Sequence, residues 1–108
     1  MHDLTFCKQI KCFENYYINK YGELFCYRKK RGVKPMKKFL GNAGYYRVEF
    51  WNRNKGKKCS VHRLVAQYFV PRIDITKEIV YHIDGNKLNN HYTNLAWANR
   101  KETQQQRN

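Results

Sequence analysis

The sequence predicts an α+β fold, in which an antiparallel, basic and β-rich N-terminal region precedes a helix and a strand–loop–strand–helix unit. Apolar residues alternate with a period of two between Tyr45 and Trp51 and then recur at helical spacing between His62 and Phe69. The nine Tyr, six Phe and two Trp favour pleated, half-buried surfaces. A length of 108 residues suits one domain, which we divide into a basic β-rich region at 1–60 and a second unit at 61–108.

Strands dominate the prediction for the N-terminal region. Residues 13–27 read as two strands around a turn at 20–23, where Lys-Tyr-Gly-Glu separates two β-prone runs. Residues 45–51 alternate, with Tyr46, Val48 and Phe50 on one side of the strand. After a turn at 52–56, the chain is expected to pair back on this strand.

A change of period marks the predicted helix. Ser60 suits the N-cap position, and residues 62–69 place apolar side chains at helical spacing. Pro71 is expected to end the helix, because proline does not continue a helical ladder. His62, in the first turn, is assigned to the fold, with contact to a phosphate at the helix N-terminus as the alternative.

The C-terminal unit is predicted as two short strands and a last helix. Residues 79–83 form a strand that Asp84 and Gly85 close, and residues 86–93 form a polar loop, in which we expect His91 to be exposed. Residues 95–97 return as the second strand. Asn99 is positioned to cap a helix over 100–106.

The balance of charge points to a polyanionic partner. The chain carries 22 Lys and Arg against 8 Asp and Glu, a net charge of +14. Nucleic acid is the first candidate, and an anionic membrane surface is disfavoured because no run of about 18 apolar residues occurs. The N-terminus lacks the charged and apolar regions of a signal peptide, so we expect an intracellular protein.

Basic residues gather around the predicted turns, above all in a loop expected at 28–35. Positive loops at strand ends follow phosphates, and a two-stranded ribbon fits a major groove. Solvated lysines would be the simpler explanation at average charge, but a charge of +14 favours contact with DNA or RNA. The residues predicted to contact nucleic acid are Arg28, Lys29, Lys30, Arg31, Lys34, Lys37, Lys38, Tyr45, Arg47, Arg53, Lys55, Lys57, Lys58 and Arg63.

The four cysteines are expected to be reduced thiols, because no secretory signal is present. Cys7 and Cys12 have a spacing that is roughly typical of zinc ligands. Zinc needs two more ligands, and Cys26 and Cys59 do not form a second close pair. Small buried apolar residues are therefore the favoured interpretation.

His82 stands at the end of a predicted strand, directly before the turn at Asp84, Gly85 and Asn86. A hydrogen-bonded structural histidine is the usual role of a lone His. The alternative is a general base, because free imidazole has a pKa of about 6.5 and removes a proton near neutral pH. Asn94, twelve residues further on, has a side-chain amide that is expected to orient the imidazole.

The run Val-Tyr-His-Ile-Asp-Gly-Asn-Lys-Leu-Asn-Asn at 80–90, followed by Asn-Leu-Ala-Trp at 94–97, resembles the catalytic hairpin of phage-type HNH homing endonucleases. Residues 16–23, 44–48 and 61–69 are also similar to segments of that family, so the resemblance covers most of the chain. It implies a ββα-metal fold at the hairpin, duplex DNA as partner and hydrolysis of a phosphodiester.

The resemblance assigns roles residue by residue. His82 matches the general base and Asn94 the asparagine that supports it. The position before the base usually holds a metal ligand and here holds Tyr81, and the helix position that supplies a second ligand holds Thr103. Neutral Tyr and Thr are poor ligands for Mg²⁺ or Mn²⁺, which prefer carboxylate or amide oxygen. Asp84 and Glu102 are the nearby carboxylates able to substitute.

Two functions follow. In the first, which we favour, the cleaving site has decayed and the chain binds a DNA site as a repressor or blocker. In the second, it is a metal-dependent nicking or double-strand endonuclease with His82 as the base. RNA or ribosome binding is a third class. A homodimer is possible, and the resemblance implies a phage or mobile-element origin, hence a host cytoplasm. Because the sequence ends at Asn108, the C-terminal helical DNA-reading extension of many relatives is expected to be missing.

Overall fold

The computed structural model describes residues 4–52 and 54–99, which form an α+β fold of antiparallel strands and one helix. In these residues the strands fall into a four-stranded sheet, a three-stranded sheet and a two-stranded hairpin. In chain order the elements are β1 (Lys8–Ile10), β2 (Phe13–Ile18), β3 (Leu24–Arg28), β4 (Gly32–Pro35), β5 (Phe39–Leu40), β6 (Tyr46–Asn52), β7 (Lys55–Ser60), α1 (Val61–Phe69), β8 (Ile79–His82) and β9 (Leu95–Ala98).

The first sheet is a meander in the order β1-β2-β3-β4. The predicted strand pair around the turn at 20–23 is present as β2 and β3, whereas β1 was not predicted. The basic loop predicted at 28–35 is wrong. Those residues belong to a β3–β4 hairpin in which Cys26 pairs with Lys34 and Arg28 pairs with Gly32. Lysines at alternate positions of a strand project into solvent, so the charge that suggested a loop is compatible with pairing.

The second sheet has the order β5-β6-β7. Its long ribbon pairs Arg47 with Ser60, as predicted, but pairing continues to Asn52 and Lys55, so the turn is shorter than the predicted 52–56. Val48 and Phe50 are fully buried, which confirms the predicted alternation. Phe50 packs against the ring of Tyr16, with the centroids 4.9 Å apart, so the two sheets share a core.

Helix α1 begins directly after β7. Ser60 occupies the N-cap position in an extended conformation, but its side chain makes no capping hydrogen bond, so only the predicted position is correct. The helix buries Leu64, Val65 and Ala66, and contacts both the β6–β7 ribbon and the β8–β9 hairpin. It ends before Pro71, as expected.

Strands β8 and β9 form the predicted hairpin, with His82 paired to Leu95. Val80 and Leu95 enter the same core as Ile18, Phe50 and Val65. The predicted C-terminal helix over 100–106 lies outside the described residues. The division at residue 60 stays a prediction, although the shared core joins both parts.

Cys12 is exposed, and Cys7, Cys26 and Cys59 are half-buried, so none of the four is a fully buried apolar residue as interpreted from the sequence. The reduced state of the thiols stays a prediction. Within residues 4–52 and 54–99, no helix is long and apolar enough to cross a membrane.

Candidate functional site

His82 ends strand β8 and packs into a cluster of three rings. Its imidazole is 8% exposed, and its ring centroid lies 5.1 Å from that of His62 and 5.7 Å from that of Tyr45. Tyr45 and His62 stack on one another at 4.6 Å. This ring cluster of Tyr45, His62 and His82 brings together the second sheet, α1 and β8, which are distant in sequence.

Asn90 holds the His82 imidazole. Its side-chain oxygen Oδ1 lies 2.7 Å from Nε2 of His82, and Asn90 is 4% exposed. With the amide oxygen as acceptor, Nε2 carries the proton and Nδ1 keeps its lone pair. The sequence assigned this orienting role to Asn94. The structure places the Asn94 amide elsewhere, and Asn90 makes the contact instead.

Asn94 fixes the loop between β8 and β9. Its Oδ1 accepts from the backbone N–H of Asp84 at 3.0 Å, and its Nδ2 donates to Asp84 Oδ1 and to the carbonyl of Asn89, each at 2.9 Å. The amide is buried and its oxygen and nitrogen are both used. Asn94 thus supports His82 indirectly, by shaping the loop that carries Asn90.

The Asp84 carboxylate belongs to the same network. Oδ2 accepts from the Asn89 side chain at 3.0 Å, and Oδ1 accepts from the backbone N–H of Asn86 at 2.7 Å. Hydrogen bonds from Asn89, from the Asn86 backbone and from Asn94 hold the pKa of Asp84 below its ordinary value. The carboxylate is therefore charged near neutral pH and already occupied by protein donors.

The turn between β2 and β3 packs against this loop. Gly22 adopts φ +83°, and a Cβ at that position would lie 3.0 Å from the Cβ of Asn90. The backbone N–H of Tyr92 donates to the carbonyl of Lys20 at 2.8 Å. His91, predicted to be exposed, is half-buried because its ring packs between Tyr21 and Tyr92.

Lys87 reaches across from the loop to the second sheet. Its Nζ donates to the carbonyl of Ala43 at 2.9 Å and lies 4.9 Å from the centre of the Tyr45 ring. The ammonium is thereby placed on the ring cluster. Neither Lys87 nor Asn90 was singled out from the sequence; their only signal was their place in the Asn-rich run after His82.

His62 is 7% exposed, and burial, together with the nearby His82 and Arg63, lowers its pKa to about 4. It is therefore neutral near pH 7. Two buried polar atoms at this cluster, Nδ1 of His62 and Nδ2 of Asn90, have no hydrogen-bond partner among the described residues. Buried polar atoms are normally satisfied, so both mark positions for a solvent or ligand atom.

Among the residues that the structure describes, the side chains around His82 do not fit a divalent cation. Tyr81 is a neutral phenol, and strand alternation directs it to the face opposite His82. Asp84 is used within the loop. In the described part of the chain, no three His, Cys, Asp or Glu side chains are grouped as metal ligands would be. Glu102 and Thr103 lie outside the described residues.

Most of the predicted nucleic-acid contacts lie on exposed surface. Arg53 is outside the described residues. Tyr45 and Arg47 differ from the rest, since both are half-buried: Tyr45 packs on the histidines, and Arg47 Nη2 lies 3.5 Å from the carbonyl of Lys58. The exposed set, called the basic surface below, is Arg28, Lys29, Lys30, Arg31, Lys34, Lys37, Lys38, Lys55, Lys57, Lys58 and Arg63.

Comparison with known proteins identifies the protein family that this hairpin matches. Residues 59–105 match the HNH endonuclease family model, a range that includes α1, β8 and β9. By sequence and by fold, the chain is related to the phage-type HNH homing endonucleases.

Particular relatives agree with that class. The chain is 40% identical over 95 residues to DNA endonuclease I-HmuI of Bacillus phage SP01, covering 87% of this chain and 52% of that protein. It is 36% identical over 96 residues to the uncharacterised HNH endonuclease L247 of Acanthamoeba polyphaga mimivirus, covering 89% of this chain and 23% of L247. The chain thus spans between about a quarter and a half of these two relatives.

A solved structure extends the likeness to the fold. The structure describing DNA binding and cleavage by the HNH homing endonuclease I-HmuI matches with a TM-score of 0.78 and 38% identity. The match covers 93% of this chain and 56% of that one. Both parts of the present chain therefore share the I-HmuI arrangement.

Proposed function

We propose that this chain binds a site on duplex DNA and does not cleave it, so that it acts as a repressor or blocker descended from an HNH homing endonuclease. One observation carries the proposal. The hairpin keeps its scaffold, with His82 held by Asn90, while the position before the base is Tyr81 and the Asp84 carboxylate is taken up by the loop.

Binding to DNA is supported by charge and by relationship. A net charge of +14 and the exposed basic surface attract a phosphate backbone. The relative with the same fold, I-HmuI, is described as binding and cleaving DNA. The β6–β7 ribbon presents Lys55, Lys57 and Lys58 along one strand, a form that suits a groove of B-DNA.

Loss of cleavage is supported by the donor set. In HNH sites a metal ion supplies the charge that stabilises the leaving oxygen, and hard cations need carboxylate or amide ligands. Tyr81 is a poor ligand, and Asp84 already accepts three hydrogen bonds within the loop, which compete with a metal ion for its oxygens. A chain that keeps binding without cleaving can occlude a promoter or another enzyme's site.

The second candidate is a metal-dependent nicking or homing endonuclease. It is favoured by the His82–Asn90 hydrogen bond of 2.7 Å, which leaves a lone pair on Nδ1 of a properly oriented imidazole. In that case the ligands would come from outside the described residues, with Glu102 as the nearest carboxylate in sequence.

The deciding experiment incubates the protein with supercoiled genomic fragments, with Mn²⁺ and separately with chelator, and sequences both bound fragments and new strand ends. We expect discrete bound sites in both conditions and no new ends. New ends that require Mn²⁺ and disappear in His82→Ala would establish the nuclease instead. Sites clustered at promoters would support repression, whereas preference for A-form duplex or single strands would favour RNA as partner.

A restoration variant tests why cleavage is absent. Tyr81→Asp combined with Thr103→Asn supplies the ligand types that the family usually has at these positions. We expect Mn²⁺-dependent nicking in the double variant and none in either single variant, because one ligand alone binds the metal weakly. Without any nicking in the double variant at unchanged DNA affinity, lost ligands could not be the reason for inactivity.

A further inference from the structure

We infer that Lys87, placed on the Tyr45–His62–His82 ring cluster, forms a metal-independent binding site for one backbone phosphate of duplex DNA. The inference rests on the proposed function and names the charge that the site uses in place of a divalent cation. Its ligand is a phosphodiester oxygen, and its protein donor is an ammonium on the hairpin loop.

Lys87 is held in place at both ends. The loop from which it projects is fixed by the bonds of Asp84 with Asn89 and Asn94. At its tip, Nζ donates to the carbonyl of Ala43 at 2.9 Å and lies 4.9 Å from the Tyr45 ring centre. An ammonium has three N–H donors, so the bond to Ala43 leaves donor capacity for an anion.

The position of the ammonium connects it with His82. The Tyr45 ring that Lys87 covers is stacked at 5.7 Å from the His82 ring, with an interplanar angle of 23°. A phosphate bound at the Lys87 ammonium would therefore lie next to the Tyr45 ring that packs on His82. An ordered charge loses less side-chain entropy on binding than a freely rotating surface lysine does.

Two buried atoms at the same cluster suggest a ligand or solvent oxygen there. Nδ1 of His62 and Nδ2 of Asn90 lack a protein partner among the described residues, and both side chains are more than nine-tenths buried. Asn90 Nδ2 is a donor, so it requires an acceptor, and a water or a phosphate oxygen supplies one.

The only carboxylate in the hairpin loop does not compete for the ammonium. Asp84 lies three residues before Lys87, and its oxygens accept from Asn86, Asn89 and Asn94. The Asp84 carboxylate keeps its charge but is hydrogen-bonded within the loop, whereas the exposed Lys87 ammonium keeps free donors. That arrangement suits an anionic partner, and it is the reverse of a cation site.

The test uses a duplex fragment recovered by the binding experiment, with the full chain in chelator. Each phosphate of the fragment is replaced in turn by an uncharged methylphosphonate, and affinity is measured for wild type and Lys87→Ala. We expect Lys87→Ala to weaken binding by about fivefold to tenfold. One methylphosphonate should weaken wild type by a similar factor and leave Lys87→Ala unaffected.

Two matched variants act as controls. Lys11→Ala removes the same charge from an exposed turn outside the basic surface, and Lys87→Arg keeps the charge on the loop. If Lys87→Ala weakens binding no more than Lys11→Ala, or if the methylphosphonate profile is identical in wild type and Lys87→Ala, the phosphate site is wrong while DNA binding stands. If wild type fails to bind duplex in chelator, the proposed function and this site both fail.

Discussion

Charged side chains of the N-terminal sheets are exposed to solvent, whereas polar side chains of the β8–β9 hairpin loop are hydrogen-bonded within the protein. The sheets display exposed cations around a turn at 29–31 and along β7. In the hairpin loop, by contrast, Asn90 and Asn94 are buried, and they bind His82 and the exposed Asp84 by hydrogen bonds. Exposed charges bind phosphates with an affinity that depends on salt, whereas a loop held by internal hydrogen bonds fixes the positions of its side chains.

In the proposed function, DNA binding depends on the exposed cations of the sheets and cleavage would depend on the hairpin. Affinity is spread over many interchangeable cations, so single changes in the sheets have small effects. Geometry in the hairpin depends on a few buried amides, so single changes there have large effects. In the proposed function, metal ligands belong to the second kind, and Tyr81 and Thr103 at the two ligand positions of the family are enough to prevent cleavage.

The largest expected effect is at the contact between the two regions. Gly22→Ala introduces a Cβ 3.0 Å from Asn90 Cβ at φ +83°, and we expect it to lower the free energy of unfolding by about 3 kcal/mol. Gly32→Ala is the matched control, because φ is +72° but nothing lies within 4 Å of the added Cβ. It should cost about 1 kcal/mol. Equal losses in urea unfolding would mean that the turn does not support the loop.

Asn94→Ala comes next. It removes an acceptor for the Asp84 backbone N–H and donors for Asp84 and Asn89 in a buried position, so we expect a loss of about 2–3 kcal/mol. Asn42→Ala, in the exposed turn before β6, should change stability by less than about 0.5 kcal/mol. Denaturant titrations of both variants decide the matter, and a loss for Asn94→Ala as small as the control would contradict the loop network.

Stability should also depend on pH through His62. Its pKa falls from 6.5 to about 4 on folding, so the unfolded chain binds more protons between these values. His62 therefore does not lower the free energy of unfolding above pH 6.5, and it lowers that free energy increasingly as the pH falls towards 4. We expect a loss of about 2 kcal/mol between pH 7 and pH 4.5 in wild type. In His62→Leu this portion should vanish, and an unchanged pH profile in that variant would assign the effect to other groups.

The smallest expected effect is at the basic surface. Lys30→Ala, in the β3–β4 turn, should weaken binding to every duplex sequence by about threefold and reduce the slope of log K against log salt by about 0.9. Wild type should show a slope near −5 if about six phosphates are contacted. If Lys30→Ala weakened binding to only one DNA sequence, Lys30 would contact a base. The basic surface would then contribute to sequence recognition as well as to affinity.

The sequence alone was sufficient for much of this description. Period-two alternation at Val48 and Phe50 predicted a half-buried strand, helical spacing after Ser60 predicted α1, and the run around His82 predicted the hairpin. These signals are local, because each depends on the repeat of one element or on turn residues that are adjacent in the chain. The net charge is likewise known from the sequence without the structure.

Tertiary structure alone decided which side chains meet. Tyr45 was predicted to contact nucleic acid, and its ring packs on His62 and His82. Asn90 and Asn94 are the same residue type in the sequence, yet in the fold Asn90 contacts the His82 imidazole and Asn94 contacts Asp84. Spacing along a loop does not fix the direction of an amide; the packing of the loop on Gly22 and of Lys87 on Tyr45 does.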